Sequence, residues 1–249
     1  MIKFFRKIRY DLMGKNKTGK YLKYAIGEII LVVIGILIAL SINNWNENRK
    51  ENIAELNILQ DIKGSISTDI QQLKLRIELA KGDIHSANII LNHIEKNIPY
   101  NDSLNKHCWV ITTTKNKIFT PQISAYKVLE SKGIDIISND QLKKQILDLY
   151  NIDYPTLQYE YENYHKNIHD YGRPIARTFF IAGNNQTLKP IDYKSLYANV
   201  EFINVLKLII SNDNTIVEML RDLIDKCQEI ENAIEVELKK ELIKSSKRK

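Results

Sequence analysis

The apolar positions of this chain fall into two regimes. From Tyr24 to Ile42 nearly every position is apolar, and the run YAIGEIILVVIGILIAL carries one charge, Glu28. Beyond it apolar residues return every three or four positions: Leu56, Leu59, Ile66, Ile70, Leu73, Ile77, Ala80, Ile84, Ala87, Leu91, Ile94 and Ile98. Lys63 breaks the series, with Ile62 beside it. A helix that is apolar all round is buried or spans a membrane, whereas a stripe at this spacing marks a helix with one buried face and a heptad seam. No helix breaker separates the regimes in NNWNENRKENIAEL. One very long helix is therefore expected, ending near residue 97.

Five prolines punctuate the remainder: Pro99, Pro121, Pro155, Pro174 and Pro190. NIPYND ends the first helix. Thr120 and Pro121 read as the N-cap and first residue of the next, which Gly133 ends. Ser138 and Gln141 read as a capping box, opening a helix through Leu142, Ile146 and Leu149 that runs to Tyr171 past Pro155. VITTTKNKIFT (110–120) reads as a small hairpin, and residues 172–198 as loop. Residues 199–210 form a short apolar helix. A final helix carries Ile216, Leu220, Leu223, Cys227, Ile230 and Ile234 at the same spacing. The expected fold is all-α. One N-terminal transmembrane helix continues into a long heptad-bearing helix, and shorter helices pack with it as an antiparallel bundle. The last helix lies against the first.

Length decides the nature of the first run. Residues 24–42 rise through about 28 Å as a helix, close to the hydrocarbon thickness of a bilayer. Ile29–Leu40 alone is short enough for the core of a cleaved signal peptide. A long basic region before the run and helix-forming residues after it favour an uncleaved anchor. Lys3, Arg6, Lys7, Arg9, Lys15, Lys17, Lys20 and Lys23 precede it. Basic residues stay cytoplasmic, so the expected N-terminus is inside and the rest of the chain outside. This divides the chain into a basic juxtamembrane segment (1–23), a transmembrane helix (24–43), an extracytoplasmic bundle (44–238) and a basic tail (239–249).

Glu28 admits two readings. It sits at headgroup level, paired with Lys20 or Lys23, where a charge costs less than at mid-bilayer. Alternatively it marks a helix–helix interface, because Glu28, Gly35 and Ala39 share one side of the helix. Gly35 and Ala39 make a small-xxx-small pair that lets helices approach closely.

The net charge of +6 resembles that of a nucleic-acid binder. The two ends, however, carry more positive charge than the whole chain. The body between them is net acidic and lacks the basic stripe a nucleic-acid surface needs, so no nucleic-acid partner is expected.

The segments MIKFFRKIR, IGEIILVVIGILIAL and INNWNE resemble the start of an uncharacterised family, a domain of unknown function, of single-pass membrane proteins from Bacteroidota, especially flavobacteria. SAYKVLESKGIDIISNDQLKKQILDLY (124–150) is similar to a recurrent segment of the same family. The resemblance implies a membrane anchor and a helical extracytoplasmic part; the expected location is the bacterial inner membrane, with the bundle periplasmic. It implies no activity, cofactor or catalytic residue.

Candidate chemistry is sparse. Cys227 occupies a seam position, where a thiol behaves as a small hydrophobe, and Cys108 lies in KHCWV. A disulfide between them is open, since sequence separation carries no geometry. Glu162, His165 and His169 would share one face of a regular helix. Glu-x-x-His is half of a carboxylate-bridged di-metal site, but no second such motif appears, and a solvated polar face is preferred. Tyr154, Tyr159, Tyr161 and Tyr164 belong to a tyrosine-rich stretch that suits a ligand surface or packing between helices. No nucleophile elbow, phosphate loop or zinc-protease helix appears. The expectation is a non-enzymatic envelope protein without cofactor, in a structural or scaffolding role. Its partner is a second copy or another membrane protein. The alternative is a ligand-binding, sensor-like module.

Overall fold

The computed structural model describes residues 18–112 and 119–246. A single helix, α1 (Thr18–Glu95), carries both apolar regimes without interruption. It closes where the proline-bearing segment begins. Asn97 adopts the left-handed conformation at φ 51°, while Asn97 N–H bonds Ile94 O and Ile98 N–H bonds His93 O. These two bonds satisfy the last carbonyls of the helix, and Pro99 then prevents its continuation.

The chain divides into two compact units between Ala54 and Glu55. In the first, the large aliphatic side chains from Leu22 to Ile42, and Trp45, stand exposed. This segment is long and apolar enough to cross a membrane, and none of its apolar window is buried.

The second unit is a helical bundle built on residues 55–95 of α1. After α1 come α2 (Leu104–Cys108) with a 3-10 turn (Trp109–Thr112), α3 (Ser124–Lys132) with a 3-10 turn (Ile134–Ile136), and α4 (Asp140–Asp148). A π turn (Leu149–Asp153) leads into α5 (Tyr154–Asn167), and a second (Ile168–Gly172) into α6 (Arg173–Phe179). Strands β1 (Phe180–Gly183) and β2 (Thr187–Pro190) pair antiparallel, followed by α7 (Tyr193–Tyr197) and α8 (Val200–Ser246).

The seam on α1 is buried much as its spacing requires. Leu59, Ile66, Leu73 and Ala80 are shut away, and Ile62 fills the place beside Lys63. Lys63 reaches out instead, 3.3 Å from Glu235 on α8. Lower on α1, Ala87, Ile90 and Leu91 share a cluster with Phe202, Leu206 and Ile209 of α8. Residue 63 meets residue 235 while residues 87–91 meet 202–209, so α1 and α8 run antiparallel.

Four expectations need correction. The 199–210 segment and the last helix are one continuous 47-residue helix. Residues 172–198 are not loop: α6, the hairpin and α7 occupy them, with Phe180, Leu188 and Leu196 anchoring the segment in the core. The helix after Pro121 starts later, at Ser124, because Gln122 N–H is committed to a buried carboxylate. The capping residue of α4 is Asn139, whose side chain accepts from Gln141 N–H and Leu142 N–H at 3.1 Å; Ser138 is engaged elsewhere. Gly133 does end α3, at φ 97°. The middle of the expected 110–120 hairpin lies outside the described residues, and Val110–Thr112 belong to the 3-10 turn.

Each π turn lies just ahead of a proline, Leu149–Asp153 before Pro155 and Ile168–Gly172 before Pro174. Proline removes an N–H donor and its ring clashes with the carbonyl four residues back. A wider π turn relieves both. The chain thus stays helical in character from Asp140 to Phe179.

Candidate functional site

Glu28, Gly35 and Ala39 lie on α1 at seven- and four-residue steps, hence along one side of a regular helix. Gly35 is exposed, and a Cβ added there would meet nothing within 4 Å.

The four tyrosines do not form a surface. Tyr154, Tyr161 and Tyr164 are 1–3% exposed, and only Tyr159 projects, at 62%. Their spacing puts three of them on the face that α5 turns toward the core, so packing claims them. Tyr154 is the centre of an aromatic ladder. Tyr150 meets it edge-on at 5.3 Å, Tyr126 stacks on Tyr150 at 4.4 Å, and Phe119 tilts against Tyr154 at 5.4 Å.

The expected common face of Glu162, His165 and His169 is also revised. A π turn begins at Ile168, so the regular repeat stops before His169. His169 is exposed with Nδ1 3.0 Å from Asp170. Among the described residues no group of three or more His, Cys, Asp or Glu side chains is arranged to hold a metal ion.

A polar centre inside the bundle had no motif to announce it. Asp69 sits on α1 next to seam residue Ile70 and is fully buried. Its carboxylate accepts Gln122 N–H at 3.0 and 3.2 Å and the Tyr154 hydroxyl at 2.9 Å. The same hydroxyl is 3.8 Å from Cys227 Sγ on α8. Tyr150 donates to Gln122 O at 3.3 Å, so the turn entering α3 is held at both its N–H and its C=O. Burial raises the Asp69 pKa to about 6, against the lowering effect of its hydrogen bonds to Tyr154 and Gln122. Burial also lifts the Cys227 thiol to about 12 and pushes Tyr150 and Tyr154 far above the usual phenol range. These groups are neutral and gather around one carboxylate, to which Tyr154 and Gln122 N–H donate. They join α1, the 119–123 segment, α5 and α8, and a buried carboxylate needs such partners.

A second cross-link lies at Glu55, the first residue of the bundle. Glu55 accepts the backbone N–H of Ser138 at 2.8 Å and its hydroxyl at 2.9 Å. Asn139, next in the chain, donates to Glu237 of α8 at 2.6 Å. Cys108 and Cys227 are free, buried, and in different hydrophobic clusters.

Outside Gln122 an open groove of about 570 Å³ runs between α1 and α3. Gln60, Asp61, Ser65, Thr68 and Ser124 supply polar groups to its walls, and Gly64 leaves its floor bare. The groove bears hydrogen-bonding side chains from both helices.

No curated protein and no solved structure matches the chain. A family model does match, over residues 28–215, and its span takes in the latter part of the apolar run, most of the bundle and the first third of α8. The chain belongs to that family, a family of unknown function, DUF6090.

Proposed function

We propose that this protein is a membrane-anchored structural or scaffolding subunit of the bacterial cell envelope. The observation that carries the proposal is α1 itself. One helix holds an apolar segment with no part of its apolar window buried and also the seam of the bundle. The basic residues before the segment support an inner-membrane anchor with a cytoplasmic N-terminus and a periplasmic bundle. The Glu28, Gly35 and Ala39 side of the helix is the contact for a second copy or another membrane protein. No catalytic step is assigned to the bundle.

The test is the mass of the full-length protein in mild detergent. Light scattering is expected to show a defined assembly that Gly35→Leu or Glu28→Leu dissociates. Association unchanged in both variants would remove this face from the proposal.

A second reading, a ligand-binding module working through a membrane partner, rests on the groove beside Gln122. It predicts that an envelope extract raises the melting temperature of the parent, and that Gly64→Leu abolishes the rise. If no extract shifts melting, that reading has no support.

A further inference from the structure

Of the five histidines, His85 and His107 are 22 positions apart in the chain, yet the fold brings them together. His85 stands on α1 and His107 on α2, with ring centroids 6.2 Å apart and planes at 78°. An ion bound to one nitrogen of each ring, at about 2.0–2.1 Å, would hold both rings with a nitrogen turned into the gap between them.

The surroundings of His107 are those of a ligand. Its Nδ1 is 3.2 Å from Ser86 Oγ. In the tautomer whose Nδ1–H donates to that hydroxyl, Nε2 keeps its lone pair and the ring is oriented. Metal-binding histidines commonly have such a partner on the second nitrogen. His85 is exposed and His107 half-buried, so ions in solution reach both. Imidazole nitrogens suit zinc, nickel and copper, whereas calcium and magnesium take oxygen.

We propose that His85 and His107 form a two-imidazole site for a late first-row divalent cation, with solvent completing its coordination. The ion would bridge the short α2 to α1. This site is separate from the expected Glu162, His165 and His169 set, and independent of the scaffolding proposal.

The test is titration of the full-length protein in mild detergent with Cu²⁺, read by electron paramagnetic resonance and by competition with a chelator. One ion with two imidazole nitrogens in its hyperfine pattern is expected. His85→Asn and His107→Asn should each lose tenfold or more in affinity and fall to one nitrogen. Ser86→Ala should weaken binding several-fold, and His169→Asn should change nothing. A second readout needs no variant: added Zn²⁺ should protect both His85 and His107 from diethylpyrocarbonate, mapped by mass spectrometry. Unchanged affinity in both histidine variants, or protection confined to His93 or His169, would overturn the proposal.

Discussion

The Asp69 carboxylate and the Tyr154 hydroxyl meet at 2.9 Å where neither side chain reaches water. A carboxylate in such a place is easier to protonate in the folded chain than in the unfolded one. The folded value is about 6 against an ordinary 3.8. Its contribution to stability is thus fully present below about 3.8 and lost as pH rises through about 6. Asp69→Asn keeps the shape and removes the titration. The melting temperature of the variant relative to the parent should therefore climb between pH 4 and pH 7. A flat difference would mean that Asp69 titrates alike in both states.

Tyrosine variants separate packing from exposure. Tyr154→Phe leaves Asp69 with its backbone partner alone, and loss of one partner at a buried polar group costs about 1–3 kcal/mol. Tyr161→Ala opens a cavity at a 3% exposed position and should cost about 3–5 kcal/mol, as large aromatic truncations do. Tyr159→Ala, on the outside of α5, should stay within about 0.5 kcal/mol of the parent. Urea unfolding followed by circular dichroism measures all three. Equal losses at Tyr159 and Tyr161 would contradict the placement of α5.

Two glycines predict opposite signs. A Cβ at Gly172 would overlap the backbone carbonyl of Ile111. Gly172→Ala must therefore displace the 3-10 turn, at a cost of about 1–3 kcal/mol. A Cβ at Gly64 meets nothing within 4 Å. Since glycine weakens a helix interior, Gly64→Ala should stabilise by about 0.5–1 kcal/mol. The same unfolding experiment compares them.

Asn139 decides how α4 begins. Asn139→Ala removes an acceptor for two backbone N–H groups and should cost about 1 kcal/mol. If Ser138 and Gln141 formed the cap, Gln141→Ala would cost as much; it is expected to be nearly silent. Thermal melting of the pair settles the assignment.

What could be read from the sequence is what one helix determines alone. The seam on α1 and the spacing on α8 follow from 3.6 residues per turn, and they appear at Leu59, Ile66, Leu73, Leu220, Cys227 and Ile234 as expected. The helix continues past Pro155 as expected, whereas Pro174 misled, because a proline's meaning depends on the turn before it. At Pro155 and Pro174 a π turn absorbs the ring, so the backbone stays helical. Asp69 carried no signal, since a lone aspartate beside Ile70 reads as surface until Gln122, 53 positions on, is seen to bond it. Ser138 reads as part of a local cap, whereas its partner is Glu55, 83 positions back.

The two cysteines give the bundle an internal chronometer. Cys227 lies in the cluster around Ile66 and Tyr154, and Cys108 in the cluster around Ile111 and Phe202. Burial lifts each thiol to about 12, so neither reacts while its half stays shut. A thiol reagent applied under native conditions therefore records separately how often each half breathes, with no residue changed.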